Sequence, residues 1–296
     1  MLQPLTVEQV SAAFPEFALA PARLGPSGFK FVMRGTRNHK DVVLKIPLTP
    51  LPDGLDDEEV EEFELLMDAR FRHEIEGMRR VDNPHVAKIL LGPDTRIIAD
   101  HRYVWYLEPF YPTTLALRLA TLWASNATVD LITGLLRGAE ALATHGIVHR
   151  DIKPPNVAFD DHDRPVLLDL GAGLFKTLTT VTGQDEMAPH TPGFCAPEQM
   201  YLRRHRPEID HRTDMFCVGI LGFIALTGRH PFRFPPFGTP DEYRQRLLAG
   251  AVDMAPLQAV NANHAFQQFF IRILAAAPNG RFRHFRMAYA ALEGCA

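Results

Sequence analysis

The chain has 296 residues, of which 46% are hydrophobic and 22% charged, and its formal net charge is -4. This is the composition of a globular protein with a substantial core, and it lacks the basic excess that favours nucleic acid as a partner. Its three cysteines form no CxxC pair, so neither a disulfide framework nor a zinc site is expected. The sequence begins without a signal-peptide pattern, and its longest apolar stretch, Met215 to Thr227, is too short to span a membrane. We therefore expect a cytoplasmic protein without a membrane anchor.

The first third of the chain predicts a small antiparallel sheet with one main helix. An acidic connector from Pro47 to about Glu62 is interpreted as a solvated loop, and the apolar spacing after it predicts a helix that ends at Asn83-Pro84. A polar turn at 37–40 joins the first two strands. The four strands predicted from apolar residues lie at 29–33, 42–46, 86–91 and 102–108.

After a hinge at Pro109 and Pro112 the pattern becomes mainly helical. A helical region is predicted over 113–146, and the segment from Ile147 to Glu198 predicts short strands and loops. The remainder is predicted to be helical apart from a proline-rich loop around 231–240, and the apolar stretch 215–227 indicates a buried core helix. The whole pattern predicts an α+β fold with a sheet-rich first part and a larger, mainly helical second part.

Two carboxylates and an amide follow one another on neighbouring loops of the second part. The segment 149–151 reads His-Arg-Asp, Asn156 comes five residues later, and Asp169 ends a short apolar strand. Phosphoryl transfer requires a carboxylate that orients the attacking hydroxyl, oxygen ligands for magnesium and a cation for the developing charge. Asp151, Asn156 with Asp169, and Lys153 are groups of these kinds.

At these residues the sequence resembles the eukaryotic-like (Hanks-type) Ser/Thr protein kinase family, whose HRDxKxxN and DFG motifs it carries, the second as Asp169-Leu170-Gly171. The resemblance implies a bilobal protein kinase fold. Residues 1–108 would form a small antiparallel-sheet N-lobe that binds ATP, and residues 109–296 a larger helical C-lobe with the catalytic loop. It also implies that Asp151 and Lys153 are catalytic and that Asn156 and Asp169 bind magnesium.

The resemblance extends along most of the chain. It implies that Lys45 contacts the ATP phosphates and that Glu74, on the main helix, anchors Lys45. A histidine titrates near neutrality, so His149 could serve as a general base, whereas the resemblance makes it a packed structural residue. The residues that the resemblance assigns to structural support are His149, Glu198, Asp214 and Arg281.

The resemblance is weakest in the glycine-rich loop that would cover the phosphates. Ser27 and Lys30 occupy two of its glycine positions, and Pro26 lacks an amide hydrogen. Leu107 is expected at the gatekeeper position, with backbone groups of the hinge residues Glu108 and Phe110 facing adenine. The residues that the resemblance assigns to ATP are Gly25, Gly28, Val32, Val43, Lys45, Leu107, Glu108, Phe110 and Ala158.

Several residues are candidates for regulation. In the family, an arginine at the position of Arg150 can bind a phosphate on the activation segment. Thr191 is either a phosphorylation site or a hydrogen-bond partner of Asp151 and Lys153. Autophosphorylation, through self-association of two copies, would use threonines that are otherwise a polar loop. Those threonines are Thr177, Thr179, Thr180 and Thr182.

The motifs favour a Ser/Thr protein kinase that uses ATP and magnesium, with a protein as its substrate. Lys153 and Glu198 belong to motifs that small-molecule kinases of the same fold typically lack. The loop Thr227-Gly228-Arg229-His230-Pro231-Phe232 resembles bacterial members of the family. The degenerate glycine loop keeps a pseudokinase, or a nucleotide-binding scaffold, open as the alternative, and a small-molecule kinase remains a second one.

Overall fold

The structure is a computed structural model. The residues that it describes are 5–24, 30–48, 54–121, 123–169, 191–200, 209–234 and 240–295. The chain divides into two compact units, which are described here one at a time. The first unit comprises Met1–Asp82 and Ala87–Phe110, and the second comprises Asn83–Val86 and Tyr111–Ala296.

The first unit contains a five-stranded antiparallel sheet with the strand order β1-β2-β3-β5-β4. Its elements are α1 (Val7–Ala13), β1 (Ala18–Arg23), β2 (Lys30–Arg37), β3 (Lys40–Pro47), α2 (Asp57–Arg79), β4 (Leu91–Ile98) and β5 (His101–Pro109). Strands β2 and β3 pair continuously from Lys30 opposite Pro47 to Arg37 opposite Lys40. Asn38 and His39 form the turn with φ angles of 51° and 61°, as two-residue hairpin loops require.

One face of this sheet is covered by α1. Thr6 and Gln9 form a capping box at the start of the helix. Helix α1 buries Val10, and Phe14 follows at the C-cap of the helix. Both residues pack into a core formed by one face of the sheet. The sheet residues of that core include Phe31, Met33, Leu44, Ile46, Trp105 and Leu107.

Helix α2 begins earlier than the sequence predicts. Asp56 caps it by accepting from the backbone N–H of Glu59, and the Glu59 side chain returns a bond to the backbone of Asp56. The acidic residues 57–62 are therefore the first turns of a helix, and their interpretation as a loop is wrong. Negative side chains are favourable at this end because they oppose the positive pole of the helix dipole.

The third predicted strand is also misplaced. Residues 86–91 were expected to form it, but Val86 forms an isolated bridge to Leu167, residues 87–90 belong to no strand, and β4 runs over Leu91–Ile98. The Gly92-Pro93-Asp94 sequence at the start of β4 is typical of a turn, so the strand was not predicted there. β4 accommodates it by a register shift between Leu91 and Asp94.

The second unit is mainly helical and contains a three-stranded sheet in the order β6-β7-β8. Its described elements are β6 (Thr113–Thr114), α3 (Leu115–Arg118), α4 (Ser125–Thr144), β7 (Val157–Phe159), β8 (Pro165–Leu167), α5 (His211–Thr227), α6 (Pro240–Ala249), α7 (Ala255–Ala259), α8 (His264–Ile273) and α9 (Phe285–Leu292). Three single 3₁₀ turns cover Pro154–Asn156, Pro197–Met200 and Pro278–Gly280. The predicted α+β class, a small antiparallel sheet with one main helix followed by a mainly helical part, is confirmed.

Helix α5 is the centre of the second unit. Asp210 caps its start, and Gly228 ends it in the left-handed conformation. Nearly every residue from Thr213 to Thr227 is buried, so the prediction of a core helix at 215–227 is confirmed. Among the residues described, no helix is both long enough and apolar enough to cross a lipid bilayer.

Candidate active site

The backbone of the segment 149–151 is held by a carboxylate of the core helix. The N–H groups of His149 and Arg150 each donate to Asp214 on α5, at 2.8 Å in both cases. Asp214 is fully buried, and this burial raises the pKa of its carboxyl group, although His149 and the two N–H donors act in the opposite direction. Arg150 has a φ of 68°, a conformation that the surrounding contacts must maintain.

The buried ring of His149 connects this loop to the segment before Asp169. Its Nε2 lies 2.9 Å from the carbonyl oxygen of Leu168, and its Nδ1 accepts from the N–H of Asp151 at 3.3 Å. A carbonyl can only accept, so Nε2 carries the proton. Both ring nitrogens are thus hydrogen-bonded to backbone groups, and this arrangement suits a structural role rather than proton transfer.

Asp151 is the centre of a polar cluster that we call the Asp151 cluster, formed with Lys153, Asn156 and Thr191. Lys153 Nζ lies 2.8 Å from Asp151 Oδ2, and the Thr191 hydroxyl donates to Asp151 Oδ1 at 2.7 Å. Lys153 also donates to Thr191 at 2.9 Å, which closes a ring of three side chains. Asn156 donates to both the carbonyl and the carboxylate of Asp151. Of the two roles open to Thr191, the structure shows the hydrogen-bonding one.

Asn156 and Asp169 have the donor chemistry that a magnesium ion requires. The amide nitrogen of Asn156 faces Asp151, so its amide oxygen points in a different direction. The carbonyl of Asn156 accepts from the N–H of Leu168 at 2.8 Å, which places Asp169 next to a residue fixed to the catalytic segment. Asp169 itself has a φ of 58°. An amide oxygen together with a carboxylate fits Mg²⁺, which prefers oxygen ligands.

The segment 191–200 is attached to the core by a buried ion pair. Arg281 donates to both carboxylate oxygens of Glu198 at 2.7 Å, and neither side chain is exposed to solvent. Thr213 donates to the same carboxylate at 2.7 Å. Gln199, which the sequence analysis missed, donates to the carbonyl of Arg150 and so links this segment to the catalytic loop.

The sequence analysis also missed an aromatic cluster beneath the segment 191–200. His230 Nε2 lies 2.6 Å from the carbonyl oxygen of Gly193, and Nδ1 accepts from the N–H of Phe232. Burial lowers the pKa of His230 to about 4, so the ring is neutral near pH 7. Gly193 has a φ of 86°, and a Cβ there would lie 2.4 Å from the Phe234 ring. The contact between Gly193 and His230 could not be predicted from the sequence alone.

In the first unit, Lys45 forms a buried ion pair with Glu108. Lys45 Nζ lies 2.7 Å from Glu108 Oε2, and the two side chains are 8% and 7% exposed. Lys45 pairs opposite Tyr106, and Val43 opposite Glu108, so all four side chains lie on one face of the sheet. Lys30 is buried on the neighbouring strand, with Nζ 3.4 Å from the Tyr106 hydroxyl.

The register of β3 and β5 bears on two expectations for the ATP-binding residues, those for Leu107 and Phe110. Leu107 pairs opposite Leu44 and belongs to the core on the α1 side, so Glu108, and not Leu107, lies on the Lys45 face. The prediction that Leu107 occupies the gatekeeper position is therefore wrong. The N–H of Phe110 donates to the carbonyl of Asp41 at 3.2 Å, which commits that amide to the sheet. Only the Phe110 carbonyl can then make the contact expected with adenine.

The remaining candidate residues are distributed as follows. Val32, on β2, pairs opposite Lys45, and Ala158 is buried on β7. Glu74 lies on α2 with Oε1 3.4 Å from Arg70 Nε, and its expected role as the anchor of Lys45 stays a prediction. The candidates that lie outside the described residues are Gly25, Gly28, Leu170, Gly171, Thr177, Thr179, Thr180 and Thr182.

Comparisons with known sequences agree with this geometry. The family profile described as "Protein kinase domain" matches residues 55–288. Serine/threonine-protein kinase 16 of Rattus norvegicus is 27% identical over 231 residues, which are 71% of this chain and 72% of that protein. The mouse protein of the same name is 28% identical over 182 residues, 54% of this chain and 57% of its own length.

Bacterial proteins show a similar level of identity. Probable serine/threonine-protein kinase PkwA of Thermomonospora curvata is 27% identical over 242 residues, 80% of this chain and 30% of that protein. The chain thus spans less than a third of PkwA and 57% of the mouse relative. The matched profile includes the Asp151 cluster and the Glu198–Arg281 pair, whereas Lys45 precedes its first matched residue.

Proposed function

The chain belongs to the protein kinase family, and from this premise we propose that it transfers the γ-phosphate of ATP to serine and threonine hydroxyls of proteins, with magnesium. The observation that carries the proposal is the Asp151 cluster. A carboxylate with a lysine ammonium 2.8 Å away is the arrangement needed to orient a hydroxyl and to neutralise charge on the phosphate that it attacks.

In the proposed mechanism, Asp151 accepts a hydrogen bond from the substrate hydroxyl and takes its proton as the hydroxyl oxygen bonds to the γ-phosphorus. The bond from that phosphorus to the oxygen bridging to ADP breaks, and ADP leaves. Lys153, fixed between Asp151 and Thr191, neutralises the charge that develops on the transferred group. Most of the acceleration would come from this positioning and from electrostatics.

Asn156 and Asp169 would hold magnesium, and the chemistry that the ion supplies is neutralisation of the phosphate charge. In the first unit, Lys45 would contact the α- and β-phosphates. Val32 and Val43 would form apolar walls against adenine, and Ala158 is a further residue assigned to ATP. We assign ATP binding to residues 1–108 and catalysis to residues 109–296.

The serine and threonine specificity is supported by Lys153 and by relatives that are named as serine/threonine kinases. Regulation would involve autophosphorylation of the threonines at 177–182 through contact between two copies, with Arg150 binding the new phosphate. A cytoplasmic location, and a protein rather than a nucleic acid as the partner, complete the proposal.

The test is incubation with γ-labelled ATP and magnesium, with acceptor proteins present, followed by identification of the labelled residues. We expect label on serine or threonine, and at least a hundredfold loss in Asp151→Asn, because general-base groups contribute about 10² to 10⁴ in rate. Asp161→Asn, which changes an exposed aspartate ten residues later in the sequence, is the matched control and should retain transfer. No label on any protein would favour a pseudokinase, and label on small hydroxylated molecules alone would favour a small-molecule kinase.

A further inference from the structure

Lys30 is a buried cation on the face of the first unit's sheet that also carries Lys45. The resemblance places a glycine of the phosphate-covering loop at this position, so a lysine there departs from the family pattern. We propose that Lys30 is a second phosphate-binding residue, whose ammonium contacts the phosphates of ATP together with Lys45. This inference rests on the proposed function, because it assumes that ATP binds to this face of the sheet. Lys45 and Glu74 keep the roles already proposed for them.

The first argument is the position of Lys30 in the sheet. Lys30 and Val32 are two residues apart on β2, so their side chains lie on the same face. Val32 pairs opposite Lys45, and Lys45 pairs opposite Tyr106, so these three residues form one row across β2, β3 and β5. Lys30 is therefore a diagonal neighbour of Lys45 on one face, at a separation that long side chains can span.

The second argument is the direction in which the side chain of Lys30 extends. Its Nζ lies 3.4 Å from the hydroxyl oxygen of Tyr106, and both residues are buried. Because β3 lies between β2 and β5, the two side chains meet across β3, the strand that carries Lys45. A lysine ammonium has three N–H donors, so a bond to the Tyr106 hydroxyl is compatible with bonds to phosphate oxygens.

The third argument is that the backbone at the start of β2 is held in place. Arg23, at the end of β1, donates from Nη2 to the carbonyl of Lys30 at 3.1 Å, and its guanidinium carbon lies 4.3 Å from the centre of the Phe31 ring. The N–H of Leu24 donates to the carbonyl of Val32 at 2.8 Å. These contacts fix the point from which the Lys30 side chain extends, and a positioned group loses less conformational freedom on binding a ligand.

The fourth argument is the chemistry that the sequence of the phosphate-covering loop offers. A loop of the family type binds phosphate through backbone N–H groups that glycines leave accessible. In this chain Ser27 and Lys30 stand at two of the glycine positions, and Pro26 has no N–H to donate. A lysine binds phosphate as a point charge, and an anionic neighbour stabilises a buried ammonium. The side chain of Lys30 can therefore compensate for the backbone donors that the glycine pattern would have exposed.

The decisive experiment measures the binding of Mg-ATP and of adenosine to the full chain by isothermal titration calorimetry. We expect Lys30→Met to weaken the binding of Mg-ATP about tenfold to a hundredfold, as for the loss of a hydrogen bond to a charged group, and to leave the affinity for adenosine within about twofold. Lys40→Met, the same change at an exposed position of β3, should bind both ligands like the wild type. Lys30→Arg, which keeps a cation, should recover part of the loss.

Two results would overturn the proposal. One is an unchanged affinity of Lys30→Met for Mg-ATP, and the other is an equal loss for Mg-ATP and adenosine. Urea unfolding without nucleotide identifies a purely structural role, because such a role lowers stability without a selective loss of Mg-ATP binding. If Lys30→Met does not fold, Lys30→Gln removes the charge but keeps a polar group beside Tyr106, and the same selective loss is expected and the same two results would contradict it.

These affinities also separate the role of Lys30 from the proposed function. A wild type that binds Mg-ATP but transfers no phosphate would refute the proposed function, and the selective loss in Lys30→Met would still support the phosphate contact. A wild type that transfers phosphate, with Lys30→Met equal to it in Mg-ATP affinity, would leave the proposed function standing and refute the phosphate contact.

Discussion

Two buried ion pairs in this chain have opposite characters. Arg281 uses all five of its N–H donors, two on Glu198 and three on the carbonyls of Ala275, Ala276 and Arg212. The Lys45–Glu108 contact is equally short at 2.7 Å, but its cation is an ammonium on a flexible stem. An arginine with all of its donors engaged is a structural element of the fold, whereas a lysine ammonium on a flexible stem is also suited to bind a ligand.

The largest effect is expected when the Arg281–Glu198 pair is broken. Arg281→Met should lower the free energy of unfolding by about 3–5 kcal/mol, because it leaves the Glu198 carboxylate buried without its cation. Urea unfolding measures this loss, and Arg283→Met, at an exposed position two residues later, is the control. If Arg281→Met and Arg283→Met unfold at similar urea concentrations, the Arg281–Glu198 pair does not stabilise the fold as its geometry indicates.

A second prediction concerns His230, which supports the same segment without any charge. The unperturbed pKa of a histidine is 6.5, and burial lowers that of His230 to about 4. Between these values the unfolded chain binds more protons than the folded one, so the stability contributed by neutral His230 is complete above pH 6.5 and is lost as the pH falls towards 4. The loss amounts to about 3 kcal/mol at about 1.4 kcal/mol per pKa unit.

Unfolding measured between pH 7 and pH 4 tests this prediction. In His230→Gln the amide can still donate to the Gly193 carbonyl but cannot be protonated, so the pH dependence should become shallower. His162→Gln, at an exposed position, should retain the wild-type slope. Parallel curves for the wild type and His230→Gln would show that His230 does not titrate in this range.

The smallest effect is expected for Thr191 of the Asp151 cluster, whose Lys153–Asp151 pair is more exposed than either buried pair. Thr191→Val removes one hydroxyl that donates to Asp151 and accepts from Lys153, and each such hydrogen bond contributes about 1 kcal/mol. We expect about a tenfold loss of phosphate transfer with little change in stability. Thr191→Ser, which keeps the hydroxyl, should stay close to the wild type, and an equal loss in both variants would contradict the role of the ring.

The catalytic segment could be predicted from the sequence because its function depends on a few side chains at fixed spacing. Asp151, Lys153 and Asn156 follow one another within six residues, so local backbone geometry brings them together once the loop forms. Thr191 lies 38 residues after Lys153 and could be placed beside it only through the family resemblance. Spacing alone does not report such a contact.

The errors arose where long-range packing decides the outcome. Leu107 and Glu108 are adjacent in the sequence, and only the register of β5 against β3 shows which of them faces Lys45. A shift of one residue exchanges the two faces of a strand, and the residues before Leu107, from Tyr103 to Tyr106, are apolar or aromatic on both faces and so do not indicate which face is buried. The helix start at Asp57 was missed for a different reason, since a capping box and an acidic loop use the same residue types.

Helix α1 is relevant to the choice of boundaries for a truncated fragment of this protein. The family profile begins at residue 55, but the described core of the first unit includes residues that precede it, from Leu5 to Ile46. A fragment trimmed to the matched range would lose α1, three strands and Lys45, and Trp105 would lose the two aromatic rings of Phe14 and Phe17 that contact it. The limits of sequence similarity and the limits of the cooperative folding unit are different boundaries in this chain.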